Sequence, residues 1–237
     1  MIDAKPQSLR PRGVNHLALS TTDMKRQLEF WCDALGLPLK ALYWMHGVEG
    51  AYHGFVELAG DSYVAFVQHP DNGKDVEFGV SHADGSGGDV RGGTMQHVAL
   101  HVDTLDEVLE MRDRLRSRGV QVMGPLDHGF IKSIYFEGPE GLNLEVCCGA
   151  DIDERAWIDP EVTSLCGITE AELEALKHPA AFARPPAPVP QPAEPHPDNV
   201  RAQRDPERQA AGAAIPDEVV WEKFSETTPP VSVEGSR

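Results

Sequence analysis

A chain of 237 residues with a hydrophobic fraction of 41% carries enough apolar side chain for a sizeable core, in one large domain or two small ones. Its 38 acidic against 21 basic residues leave a formal net charge of −17, which excludes a nucleic-acid partner, since phosphate backbones require clustered Lys and Arg. Residues 1–12 are polar and no run of about 18 apolar residues follows, so neither a secretory leader nor a membrane partner is expected, and the expected compartment is the cytoplasm.

In chain order, residues 1–12 read as an N-terminal arm and residues 13–68 as a first module. Within it, residues 14–19 alternate as a strand, with Leu17 and Leu19 on one face and His16 and Ala18 on the other. A helix follows, with Thr22 placed to cap it, a stripe of Met24, Leu28, Trp31 and Leu35, and Gly36 just past its end. Residues 37–44, 54–58 and 63–68 then predict three strands separated by Gly- and Asp-containing turns. Residues 69–94 are polar and rich in Gly and Asp, as in a linker or lid loop.

Residues 95–149 repeat the first module. Gln96-His97-Val98-Ala99-Leu100 matches Asn15-His16-Leu17-Ala18-Leu19 position for position. Thr104 and Glu107 open a second helix with a capping-box pattern, and it ends at Gly119. Residues 120–123, 133–137 and 142–147 supply three more strands, so the chain is an internal duplication of about eighty residues whose halves are expected to pair about a pseudo-twofold. Residues 150–237 read as an extended Pro-rich C-terminal tail with one short helix through Leu176 and an apolar island of Val219, Val220, Trp221 and Phe224. That island offers a route to a homo-oligomer through exchange of the tail. Cys32, Cys147, Cys148 and Cys166 form no Cys-x-x-Cys pair and predict reduced thiols.

Strand alternation sorts the side chains by face. If the helices cover the face bearing Leu17, Leu19, Val98, Leu100, Leu144 and Val146, then His16, His97, Tyr135 and Glu145 all lie on the open one. Two imidazoles and one carboxylate leave coordination positions free, which suits a divalent first-row metal that must also bind substrate. Trp44, Tyr52, Phe55, Phe130 and Tyr135 make an aromatic set compatible with a ring-shaped ligand.

This pattern resembles the vicinal oxygen chelate superfamily, which includes glyoxalase I, bleomycin-resistance proteins, fosfomycin-resistance enzymes and type I extradiol dioxygenases. The resemblance covers about residues 13–148. It implies an α+β fold of two tandem βαβββ modules forming a cupped mixed sheet around a metal, with His16, His97 and Glu145 as ligands. The fourth family position falls at Ala65, which cannot ligate and counts against a glyoxalase I-type site. The run from His128 through Tyr135, Gly138-Pro139-Glu140-Gly141 and Glu145 resembles the extradiol signature, from which Gly138 and Leu126 depart. That likeness implies Fe(II), with Mn(II) or another divalent metal as the alternative, a small aromatic diol of the catechol or hydroquinone class and O2 as substrates, and Tyr135 and His128 as substrate contacts. It also implies an acid–base histidine, for which His53 and His69 are the candidates, and it leaves Lys132 as a surface lysine near the loop. Two other readings keep the fold but not the reaction: a non-oxidative isomerase, lyase or transferase using the same ligands, and a metal-free protein that sequesters a ligand.

Overall fold

The computed structural model of the protein describes residues 10–233, so most of the N-terminal arm lies outside the described residues. Residues 11–178 form one compact unit, and the segment from Pro179 onward belongs to a second. In the first unit, β1 (His16–Thr21), β2 (Leu39–Trp44), β3 (Tyr52–Ala59) and β4 (Ser62–Gln68) build one sheet, and β5 (Val98–His101), β6 (Val122–Asp127), β7 (Ile131–Glu137) and β8 (Asn143–Gly149) build another. Their strand orders are the same, β1-β4-β3-β2 and β5-β8-β7-β6, with the outermost pair of each parallel. Helices α1 (Met24–Glu29) and α2 (Leu105–Ser117) are the crossovers, so the two βαβββ modules read from the repeat are present.

Register makes the repeat quantitative. Ala18 pairs with Ala65 and Phe55 with Ala65, while Ala99 pairs with Glu145 and Tyr135 with Glu145. Phe55 and Ala65 are therefore the counterparts of Tyr135 and Glu145. The alternate residues face the helices: Val56, Val64 and Phe66 from one sheet and Ile134, Leu144 and Val146 from the other are buried together with Trp31, Val108 and Leu115 in one core. Both helix-covered faces thus share a single apolar interior.

Local chemistry sets the ends of α1. Asp23, not Thr22, is its cap, accepting from the Arg26 amide at 3.0 Å, because Thr22 is engaged elsewhere. The helix runs on through a π-helical turn at Phe30–Ala34 to Gly36, whose φ of +82° suits glycine. A Cβ there would also displace the Arg114 guanidinium, 2.8 Å away, which reaches over from α2 to donate to the carbonyls of Asp33 (2.8 Å) and Ala34 (3.0 Å).

The second tie between modules is a carboxylate. Glu140, in the 3-10 turn Pro139–Gly141 between β7 and β8, accepts from Thr21 Oγ1 (2.5 Å), Thr22 Oγ1 (2.6 Å), the Thr22 amide (2.8 Å) and Gln27 Nε2 (2.7 Å). Gln27, fully buried, accepts in turn from Trp31 Nε1 at 3.2 Å. Glu140 holds φ = 60° and ψ = 30°, a left-handed conformation that a non-glycine residue keeps only where its surroundings over-determine it.

Past β8 the structure is richer than the single helix expected. Helices α3 (Glu154–Trp157), α4 (Pro160–Leu165) and α5 (Glu170–Lys177) complete the first unit, and α6 (Val200–Arg204), α7 (Pro206–Ala213) and α8 (Asp217–Phe224) lie in the second. The cause is capping: Asp153, Asp159, Thr169, Asn199 and Asp205 each accept a first-turn amide, which offsets the low helix propensity of short, proline-punctuated segments. No helix among the described residues is long and apolar enough to cross a membrane. All four cysteines are free thiols.

Burial alone would raise the Glu140 carboxyl, but the hydrogen bonds from Thr21, Thr22 and Gln27 outweigh it and hold it below the usual carboxylate range. The folded protein therefore binds this proton more weakly than the unfolded chain, so the contribution is complete above the ordinary carboxylate range and fades as pH falls through the depressed folded value. Glu140→Ala is expected to lower the unfolding free energy at neutral pH by roughly 2–4 kcal/mol, with an unchanged denaturant slope. Urea unfolding at pH 7 and pH 4 measures both the loss and its narrowing on acidification.

Candidate metal centre

The open face of the second sheet holds four of the residues singled out from sequence. Glu145, 2% exposed in the middle of β8, lies with Oε2 3.1 Å from His97 Nε2. Its other oxygen, Oε1, is buried without a hydrogen-bond partner. Across the sheet from it stands Tyr135, whose hydroxyl is 2.9 Å from His128 Nε2 and whose ring meets that of His97 edge-on. The pairing of Tyr135 with His128 follows from the tight turn before β7, where the His128 amide donates to the Ile131 carbonyl and Asp127 Oδ1 accepts from the Gly129 amide.

That turn has a buttress no pattern in the sequence announced. The Trp157 ring of α3 packs edge-on against Phe130 with centroids 4.7 Å apart, and a Cβ at Gly129 (φ +91°) would lie 2.6 Å from it. Helix α3 is in turn bound to α5 through Glu154 and Lys177. Lys132 pairs with Asp127 at 3.4 Å rather than facing the site.

The neighbour of His97 Nδ1 is fixed by Gln96. The Gln96 amide nitrogen donates to the carbonyls of Gly85 (3.1 Å) and Gly88 (3.3 Å), so Gln96 Oε1 is left to accept, and the group it contacts is His97 Nδ1. With the proton on Nδ1, a neutral His97 turns the Nε2 lone pair toward a carboxylate oxygen, and two acceptors 3.1 Å apart repel unless a cation lies between or beside them. The lone pair, the facing carboxylate and the unpartnered Glu145 Oε1 are a donor set that fits a divalent metal.

The remaining predicted ligand is elsewhere. His16 Nδ1 lies 2.9 Å from Asn15 Oδ1, and its ring packs edge-on against Phe55, which also contacts His53. Among the described residues, no three His, Cys, Asp or Glu side chains converge to hold a metal. The reason is the shared core: both modules turn their helix-covered faces inward, leaving the face with His16 and His53 and the face with His97, Glu145, Tyr135 and His128 on separate outer surfaces. Within the described residues of one chain, His16 is therefore not gathered with His97 and Glu145 into a three-ligand group. His69 accepts from the Asp71 amide in the following loop, apart from either face.

The aromatic set divides as well. Phe55 and Tyr135 belong to the open faces, and Phe55 stacks on Tyr43 at an interplanar angle of 12°. Tyr52 instead packs on the core with Trp44 against it, and Phe130 is covered by Trp157. Beside Tyr135, the loop residues Phe78 and Ala83–Ser86 border a cleft of about 240 Å³ together with Met123, Glu137 and Asn143.

Residues 13–146 match the Glyoxalase/Bleomycin resistance protein/Dioxygenase superfamily. The chain is 35% identical to biphenyl-2,3-diol 1,2-dioxygenase 2 of Rhodococcus globerulus over 52 residues, which span 22% of this chain and 27% of that protein. It is 25% identical to a probable lactoylglutathione lyase of Synechocystis sp. over 136 residues, 55% of this chain and 91% of that protein. The crystal structure of a glyoxylase/bleomycin resistance protein/dioxygenase domain from Frankia sp. EAN1pec is similar at 15% identity with a TM-score of 0.48, covering 60% of this chain and all of that one.

Burial raises the Tyr135 hydroxyl above the ordinary tyrosine value, and the negative charge of Glu145 adds to the rise. Spectrophotometric titration of the metal-free protein should show a late-ionising tyrosine component that Tyr135→Phe removes. His53 is displaced the other way, burial lowering its pKa and the neighbouring His16 assisting. Histidine NMR should find it neutral at a pH where an ordinary histidine is half protonated.

Proposed function

The chain belongs to the glyoxalase/bleomycin resistance protein/dioxygenase superfamily, and from that premise we propose that it is an Fe(II)-dependent extradiol-type dioxygenase of a small aromatic diol. In this reading the metal is held by His97 and Glu145 of one chain and His16 of a second copy. The observation that carries the proposal is the buried Glu145 oxygen without a partner beside the His97 lone pair, with the bonded Tyr135–His128 pair along the same face. A metal is the group that satisfies both acceptors at once.

When bound, Fe(II) would supply a route for electrons between a diol and O2. Everything else falls to side chains. Tyr135, with its proton held tightly by burial, would donate a hydrogen bond to a substrate oxygen, and His128 Nε2, 2.9 Å from that hydroxyl, would be its partner in passing the proton. His53, neutral by burial and with Nε2 unpartnered, is suited to accept a proton from the diol. It is a neighbour of His16, so a second copy that brings one brings the other. The stacked Phe55 and Tyr43 would then wall the site with flat apolar surface matched to a ring.

One observation favours a second reading. A relative matched over nearly its whole length is a probable lactoylglutathione lyase, whereas the match to the dioxygenase spans about a quarter of that enzyme. A non-oxidative isomerase, lyase or transferase would use the same ligands with Mn(II) or another divalent metal to polarise vicinal oxygens.

Anaerobic reconstitution with Fe(II), followed by oxygen uptake on catechols and hydroquinones, separates the two: uptake supports ring cleavage, and a metal-dependent activity indifferent to oxygen selects the second reading. His97→Ala should abolish stoichiometric metal binding without unfolding the chain. The shared site has its own signature. Neither His16→Ala nor Glu145→Gln chains alone should bind metal fully, but mixing them should restore about one quarter of the wild-type stoichiometry, because half the dimers are mixed and each holds one intact site of two. Full metal binding by a demonstrably monomeric protein would reject the two-copy arrangement.

A further inference from the structure

We propose that Gln96 is a positioning residue for the metal-binding nitrogen of His97, and that the loop at Gly85–Gly88 sets it. The inference rests on His97 being a metal ligand. Three observations carry it. Gln96 is the residue immediately before the histidine, and its amide orientation is not free: both protons of the amide nitrogen are occupied by the Gly85 and Gly88 carbonyls, at 3.1 and 3.3 Å, leaving Oε1 as the only atom that can meet His97 Nδ1. A reversed amide would put carbonyl oxygen against carbonyl oxygen twice. The loop that supplies those carbonyls is tightly folded, with Gly88 so close to Asp84 that a Cβ there would lie 2.3 Å from the Asp84 carbonyl oxygen.

The same device recurs in the other module. Asn15 precedes His16 as Gln96 precedes His97; its Oδ1 is 2.9 Å from His16 Nδ1, and its amide nitrogen donates to the Asp61 carbonyl at 3.4 Å. An amide side chain, turned by a backbone carbonyl and presenting oxygen to Nδ1, thus stands before each histidine. The chemistry is the same in both: an acceptor at Nδ1 keeps the proton there and directs the Nε2 lone pair outward. Module two adds something module one lacks, because the anchoring carbonyls belong to the loop whose Gly85 also borders the cleft beside Tyr135. A ligand that moves that loop changes the hold on the histidine.

The test uses Gln96→Met, which keeps length and removes both the acceptor for His97 and the donors to the loop carbonyls. Nitrogen-15 NMR of the metal-free full-length protein should show His97 protonated at Nδ1 in the wild type and shifted toward the Nε2–H form in Gln96→Met. Titration with Co(II) should find Gln96→Met weakened by about 10- to 100-fold with unchanged thermal unfolding of the apo protein. Wild-type tautomer and affinity in Gln96→Met, with His97→Ala unable to bind Co(II), would overturn the positioning role alone. Retained Co(II) affinity in His97→Ala would overturn the metal reading and this proposal with it.

Discussion

The interaction on which the first unit depends is a single carboxylate reaching between modules. Glu140 gathers four donors from the end of β1, the start of α1 and the side chain of Gln27. Charge-assisted bonds of this kind are individually stronger than neutral ones, and here they also hold a left-handed residue in place. With Arg114 closing the opposite end of α1, the two modules are tied at both ends of one helix. Everything apolar between those ties merges into one core, and that merger turns the histidine-bearing faces outward.

The outward faces are unequal, which is what gives them different chemistry. Equivalent positions hold Phe55 and Ala65 in one module and Tyr135 and Glu145 in the other. One face therefore offers a carboxylate, a hydroxyl and two imidazoles; the other offers an apolar wall with His16 and His53 set in it.

Support for the polar face comes from beyond the repeat. Helix α3 follows the last strand and lays Trp157 on Gly129 and Phe130, so the His128 turn is held from outside the sheet. Long loops and post-domain segments commonly carry such functional roles, because the sheet itself fixes only the residues within its register. The loop at Gly85–Gly88 plays the corresponding part for His97 through Gln96.

Much of this was legible before any coordinates. Strand alternation has a period of two, so counting residues was enough to put His97, Tyr135 and Glu145 on one face, while the family resemblance supplied the match of Ala65 to Glu145, and the register and the His97–Glu145 contact agree. The pairing of His128 with Tyr135, seven residues apart, was within reach of the same local reasoning. Glu140 was not: its donors lie 113 to 119 residues away, and in sequence it is one member of a Gly-Pro-Glu-Gly turn. Nor could alternation reveal that Asn15 and Gln96 orient the histidines, since the carbonyls that turn their amides belong to loops without a pattern. Sequence by itself determined the duplicated modules and which side chains share each face, because those follow from local geometry repeated twice. Only tertiary structure decided that the two faces point away from a common core, because that orientation is set by long-range polar ties and by how two apolar surfaces meet.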